Sequence, residues 1–128
     1  MIKFFEENYK LSWFITLVGA VLIFWISSLN FGGSVVGDKG WISIVYHFSS
    51  FFCFSFFLFI SLTHGRKNYL LFFAGFLISV AYAISDEIHQ YFVPWRFCDI
   101  FDVFVDIAGI IFAMMIYLVI VLWRGRVN

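Results

Sequence analysis

The sequence predicts an all-α, polytopic membrane protein: one domain over residues 1–128, folded as a four-transmembrane-helix bundle. Three observations carry that expectation. Hydrophobic residues make up 63% of the chain and charged residues only 12%, a balance foreign to soluble domains. Twenty Phe, five Trp and six Tyr exceed what a soluble core of this size can hide, because small domains bury a limited share of their surface. Four apolar runs also approach or exceed the about 20 residues needed to cross a hydrocarbon core of about 30 Å.

Those runs cover residues 11–29, 41–63, 69–85 and 101–123. They lack the alternation of barrel strands, and backbone groups in lipid must be satisfied within their own segment, so each reads as a helix. The third is short, and the fourth carries Asp102 and Asp106. Lys3 and Lys10 precede the first run as in a signal peptide. That run is longer than a usual signal core, and no small-residue cleavage site follows, so an uncleaved helix is expected. Of the connections, 30–40 is glycine-rich, 64–68 is a tight basic turn, and 86–100 is polar and aromatic and holds the only proline, Pro94. The Phe-rich stretch 48–59 reads as a lipid-facing or packed helix surface. Cys53 lies roughly 18 Å along its helix from Trp41, at about 1.5 Å per residue, so a disulfide to Cys98 in the loop is not expected.

Charge sets an expected orientation. Net charge is zero, which removes any general electrostatic case for nucleic-acid binding. With four spans, Lys3, Lys10, Arg66, Lys67, Arg124 and Arg126 share one side, against Lys39 and Arg96 on the other. The positive-inside bias then places both termini in the cytoplasm. Asp38, Asp86, Glu87, Asp99, Asp102 and Asp106 fall on the outer half, the chemically populated face.

Helical spacing gathers these groups into stripes. Gly75, Ser79, Tyr82, Asp86 and His89 align along the third helix if it continues to His89, with Glu87 pointing elsewhere, towards the lip. Asp99, Asp102, Asp106, Gly109 and Ala113 align along the fourth, leading into a small-residue groove that permits close helix approach. Ser43, His47 and Ser50 form a third stripe. His47 lies roughly 9 Å and Asp106 roughly 7.5 Å from the outer ends of their helices, so the two match in depth. An ionised group facing hydrocarbon costs at least about 2.5 to 3.5 kcal/mol, so His47, Asp102 and Asp106 are expected to turn inward and meet in one outward-opening pocket. Arg96, the only outer arginine, is positioned to pair with one of the carboxylates.

The run Ser85-Asp86-Glu87-Ile88-His89-Gln90-Tyr91-Phe92-Val93-Pro94-Trp95-Arg96, followed by Asp102-Val103 and Asp106-Ile107-Ala108-Gly109, resembles the signature of the VanZ-like membrane family. That signature runs from a DEIHQ block through a Pro-Gly-Arg turn to a helix start with D-V and D/N-x-x-G. Ser27-Ser28, Asp38-Lys39 and His47 are supporting matches upstream, so the resemblance spans most of the chain. Trp95 stands where the family usually has Gly, and Ala113 where a second helix Gly is common. Gly readily supplies positive φ after Pro and Trp does not, so the turn presenting Arg96 is expected to differ. The family takes its name from a protein linked to teicoplanin resistance, which implies an envelope role at the outer membrane face. It does not imply a particular reaction.

The leading expectation is therefore a protein that binds or chemically modifies an envelope lipid or lipid-linked headgroup in the outward pocket, with membrane lipids as its other partners. In an enzymatic version Glu87 or His89 is general acid or base and Asp86 and Asp106 orient the histidines. His47, Gln90, Arg96, Asp102 and Asp106 then bind substrate, with Arg96 on an anionic group. In a non-enzymatic version the same residues only recognise the ligand or hold the structure. Transport of a proton, cation or lipid is a third class. Against a continuous polar path, no acidic, basic or histidine residue occurs in 69–85 or 107–123. No cofactor is expected. His47, His89 and the carboxylates offer nitrogen and oxygen ligands for a divalent metal, but no HExxH or other established spacing is present. Nor is there a G-x-S-x-G elbow.

The charge asymmetry has a direct test. With Cys53 and Cys98 replaced by serine, a cysteine introduced within 32–37 should react with an impermeant thiol reagent on intact cells, and one at Asn68 should not. The reverse labelling pattern would invert the topology.

Overall fold

The computed structural model describes residues 1–29, 40–94, 96 and 98–127. The glycine-rich loop with Asp38 and Lys39, and Trp95 in the turn before Arg96, lie outside them. Five helices follow in order: α1 (Ile2–Glu7), α2 (Tyr9–Ser27), α3 (Trp41–Thr63), α4 (Tyr69–Tyr91) and α5 (Ile100–Val127). Among the described residues there is no strand, and α2 to α5 are each long and apolar enough to cross a membrane. Three of the spans depart from their expected bounds. The first span begins two residues early and is preceded by the short α1; α4 runs on to Tyr91; α5 extends from Ile100 to Val127.

Local chemistry accounts for the break before α2, the start of α4 and the end of α3. The chain breaks between α1 and α2 at Asn8, whose Nδ2 donates to the Phe4 carbonyl at 2.9 Å, while Ser12 Oγ donates to the Phe5 carbonyl at 2.8 Å. Side chains thus serve the carbonyls that a helix end leaves unpaired. Asn68 caps α4 by accepting from the amides of Leu70 and Leu71 at 3.1 and 3.2 Å. α3 stops because His64 (φ 52°) and Gly65 (φ 75°) take left-handed conformations. His64 is held there by stacking on Tyr9, with ring centroids 4.5 Å apart.

α3 is the hub, packed against α2, α4 and α5, while α4 also packs on α5. Its Phe-rich stretch is mainly packed surface: Phe51, Phe54, Leu58, Phe59 and Ile60 are buried. Lipid receives other residues, among them Phe14, Leu17, Val21, Trp25, Phe73 and Leu77, all exposed. Small residues set the helix spacing. A Cβ on Gly109 would lie 2.5 Å from the carbonyl oxygen of Phe48, and one on Gly75 would lie 2.9 Å from the Phe59 ring. The small-residue face read from the sequence is therefore the α3–α5 contact, continued by the fully buried Ala113.

The helices alternate in direction, giving the bundle a basic end, with Lys3, Arg66, Lys67 and Arg124, and an acidic end, with Asp86, Glu87 and Asp106. A buried clasp closes the basic end. The Tyr117 hydroxyl donates to Glu6 Oε1 at 3.1 Å, accepts from the Gly65 amide at 3.1 Å and lies 3.2 Å from Thr63 Oγ1. Arg124 pairs with the other oxygen of Glu6. Gly65 is required twice here, by its positive φ and because a Cβ would lie 2.9 Å from Glu6 Cδ.

Two stability outcomes follow. Gly109→Ala should cost about 1 to 3 kcal/mol, because the neighbour it meets is backbone and cannot rotate away. Gly19→Ala, inside α2 with nothing within 4 Å of the added carbon, should melt no lower than the parent and gain up to about 1 kcal/mol from helix propensity. Tyr117→Phe should cost about 1 to 3 kcal/mol by leaving buried groups of the clasp unpaired. Melting curves in detergent read all three.

Candidate functional site at the acidic end

The α4 extension decides the site. Because that helix packs on both α3 and α5, its buried arc is wider than one narrow stripe. Ala83, Asp86, Glu87 and Gln90, spaced i, i+3, i+4 and i+7, all face inward. The expectation that Glu87 points to the lip is corrected: it is 1% exposed. A helix touching one neighbour would have left Glu87 outside, since it sits about 100° around the helix from Asp86.

Three helices supply the cluster. His47 comes from the first third of α3 and Asp106 from the second turn of α5, and the contact expected between them is present: His47 Nδ1 lies 3.0 Å from Asp106 Oδ1. Gln90 bridges the α4 carboxylates, donating through Nε2 to Asp86 Oδ2 and Glu87 Oε1 at 3.0 Å each. The Asp99 amide donates to Glu87 Oε2 at 3.0 Å, tying the polar loop to the cluster. One donor atom from each of His47, Glu87 and Asp106 falls within 4.8 Å of the others. All five of His47, Asp86, Glu87, Gln90 and Asp106 are buried, and Asp86 Oδ1 and Asp106 Oδ2 have no hydrogen-bond partner among the described residues. Three carboxylates thus share an apolar site with an imidazole able to carry at most one positive charge. Buried charge of this kind is unfavourable unless a proton or cation balances it.

The remaining expected residues sit around this centre. His89 does not join it: the residue is half-buried, its Nε2 lies 2.9 Å from Ser28 Oγ, and its ring stacks on Phe24 with centroids 4.4 Å apart. The stripe predicted on α4 therefore divides. Gly75, Ser79 and Asp86 enter the bundle core, while Tyr82, donating to the Ala20 carbonyl at 2.6 Å, and His89 reach α2. Arg96 donates through Nη2 and Nε to the carbonyls of Ile26 and Leu29 at 2.8 and 3.3 Å, covering the C-terminal turn of α2, where a cation suits the helix dipole. Asp102 is half-buried, within electrostatic reach of His47 and Glu87. Asp99 receives the Phe101 amide at 2.8 Å and so starts α5. Cys53 and Cys98 are free thiols, both exposed.

Beside the cluster runs an apolar groove of about 250 Å³ between α2 and α3, lined by Ile15, Gly19, Leu22, Ile26, Phe54 and Phe57 among others. Tyr46 and Ser50 also line it, and the Tyr46 ring packs edge-on to His47 at 5.6 Å. Sequence reading missed this groove because its walls are ordinary apolar residues on two helices.

The fold and site define a four-span membrane protein with a buried histidine–carboxylate cluster at one end. The family model described as VanZ/LLP1 matches residues 4–122, which takes in all of that cluster, and the chain belongs to this family. No curated protein and no solved structure matches the chain.

If the His47–Asp106 contact holds α3 against α5 energetically, His47→Ala and Asp106→Ala should not add. A double-mutant cycle on the melting free energies should give a coupling of about 0.5 to 3 kcal/mol. Additive effects would mean that the two side chains are neighbours without interaction.

Proposed function

We propose that this VanZ/LLP1-family protein is a multi-pass cell-membrane protein that holds an envelope lipid or lipid-linked precursor, with its acidic end and polar site on the outer face. The observation that carries this reading is the junction of groove and cluster. An apolar channel open to the bilayer leads along α2 and α3 to Tyr46, which touches His47. An acyl chain matches the groove in chemistry, and its headgroup would then lie at the polar end of the bundle. Ile26 lines the groove, and its carbonyl is bonded by Arg96, so a cationic side chain stands at the groove's head, where the phosphate of an anionic lipid would sit. Pockets of this kind, mostly apolar with a few convergent polar groups, are the usual form of small-ligand sites. In this reading the protein acts in the response to glycopeptides such as teicoplanin, a role supported by its family membership.

The test is native mass spectrometry of protein extracted in mild detergent. The parent should carry one lipid, and Gly19→Trp, which fills the groove where nothing lies within 4 Å of an added carbon, should lose it without a lower melting temperature. In cells the same substitution should shift teicoplanin susceptibility to that of a strain lacking the protein. Equal lipid retention by parent and Gly19→Trp would remove the groove from the account.

A further inference from the structure

We propose that His47, Glu87 and Asp106 form a binding site for a divalent transition-metal ion of the zinc class. Among the described residues these three bring donors from three helices within 4.8 Å of one another. A tetrahedral zinc ion bound at about 2.0 to 2.2 Å sets its ligands about 3.4 Å apart. The His47–Asp106 pair, at 3.0 Å, is just inside that spacing, so the ion enters by displacing the proton shared between Nδ1 and Oδ1 to solvent, with a slight parting of the pair and a movement of Glu87 towards it.

Two further features point to a cation. Asp106 is 0% exposed, yet its Oδ2 has no hydrogen-bond partner among the described residues, which leaves it a lone pair for a cation. Charge also favours an ion: a divalent cation with Glu87, Asp106 and a neutral imidazole sums to zero and leaves only Asp86, held by Gln90, whereas protonating His47 alone cancels one of three negative charges. The mixture of one imidazole nitrogen and carboxylate oxygens favours zinc or a similar ion over magnesium, which prefers an all-oxygen octahedron.

The supporting contacts resemble those that orient metal ligands elsewhere. Glu87 is held by Gln90 Nε2 on one oxygen and the Asp99 amide on the other, and each oxygen retains a lone pair for the ion. Three protein ligands leave one position open, the arrangement of zinc sites that receive a water or a ligand atom. Of the other charged groups nearby, Asp86 is tied to Gln90, Asp102 stands half-buried, and Arg96 gives Nη2 and Nε to α2 carbonyls. The expectation of no metal rested on the absence of a local sequence spacing. A site assembled across three helices has none.

This assignment stands apart from the lipid reading, because metal content is measured on the purified chain without lipid. Full-length protein in mild detergent is stripped with a chelator, dialysed against Zn²⁺, and assayed by elemental analysis and melting. The expected result is one zinc per chain and a raised melting temperature, both unchanged in His89→Ala and lost in His47→Ala and Glu87→Gln. Co²⁺ offers a readout on the parent that needs no variant to fold: visible absorption should appear up to one equivalent and vanish as Zn²⁺ displaces it. Substoichiometric zinc in the parent, zinc retained by the His47→Ala and Glu87→Gln chains, or a Co²⁺ spectrum no different from the free ion would each overturn the proposal.

Discussion

The closest approach of α3 and α5 governs this molecule. Gly109 lets the Phe48 carbonyl sit where any Cβ would collide, so the two backbones meet at that level. His47 immediately precedes Phe48, and Asp106 lies three residues before Gly109. One contact of small residue against backbone thus brings the imidazole and the carboxylate to 3.0 Å. In lipid, helix association depends on packing of this kind, because hydrocarbon gives no hydrophobic drive between apolar helices. The polar site is therefore a consequence of the apolar packing beneath it. It also repays that packing electrostatically, since charged groups so placed must find one another.

The two ends of the bundle use similar residues to opposite effect. At the basic end Glu6 is fully engaged: Tyr117 donates to one oxygen and Arg124 pairs with the other. That carboxylate has a structural explanation, tying α1 to α5 and to the turn after α3. At the acidic end Asp86, Glu87 and Asp106 are gathered around one histidine, and two of their oxygens lack hydrogen-bond partners among the described residues. A purely structural cluster would gain by satisfying those atoms or by losing the charges altogether, because buried ion pairs rarely stabilise more than a well-packed apolar replacement. The contrast within one chain supports a ligand for the acidic end.

The groove and the cluster meet at adjacent residues of α3. Tyr46 faces the bilayer-side channel and His47 faces the interior, as neighbours about 100° apart on a helix must. α3 thus contacts the lipid phase and the polar site within a single turn, and α2 closes the far wall. His89 and Arg96 fasten α2 at that same end, through Ser28 and the carbonyls of Ile26 and Leu29.

What the sequence by itself determined was the number of spans, their helical form and their approximate extent, because hydrocarbon forces each segment to satisfy its own backbone and leaves length and apolarity as sufficient signals. It also determined that Asp106 and His47 would share a depth, since helical rise converts residue count directly into distance. Only the tertiary structure decided which way Glu87 turned. The buried arc at the end of α4 depends on how many helices it touches, a quantity that no periodicity within α4 encodes. The clasp on Glu6 escaped sequence reading for a related reason: its partners lie more than a hundred residues away, on Tyr117 and Arg124. Only the tertiary structure shows that Arg96, expected to pair with a carboxylate, gives Nη2 and Nε to carbonyls of α2, because the end of a helix also offers negative potential without carrying a charged side chain.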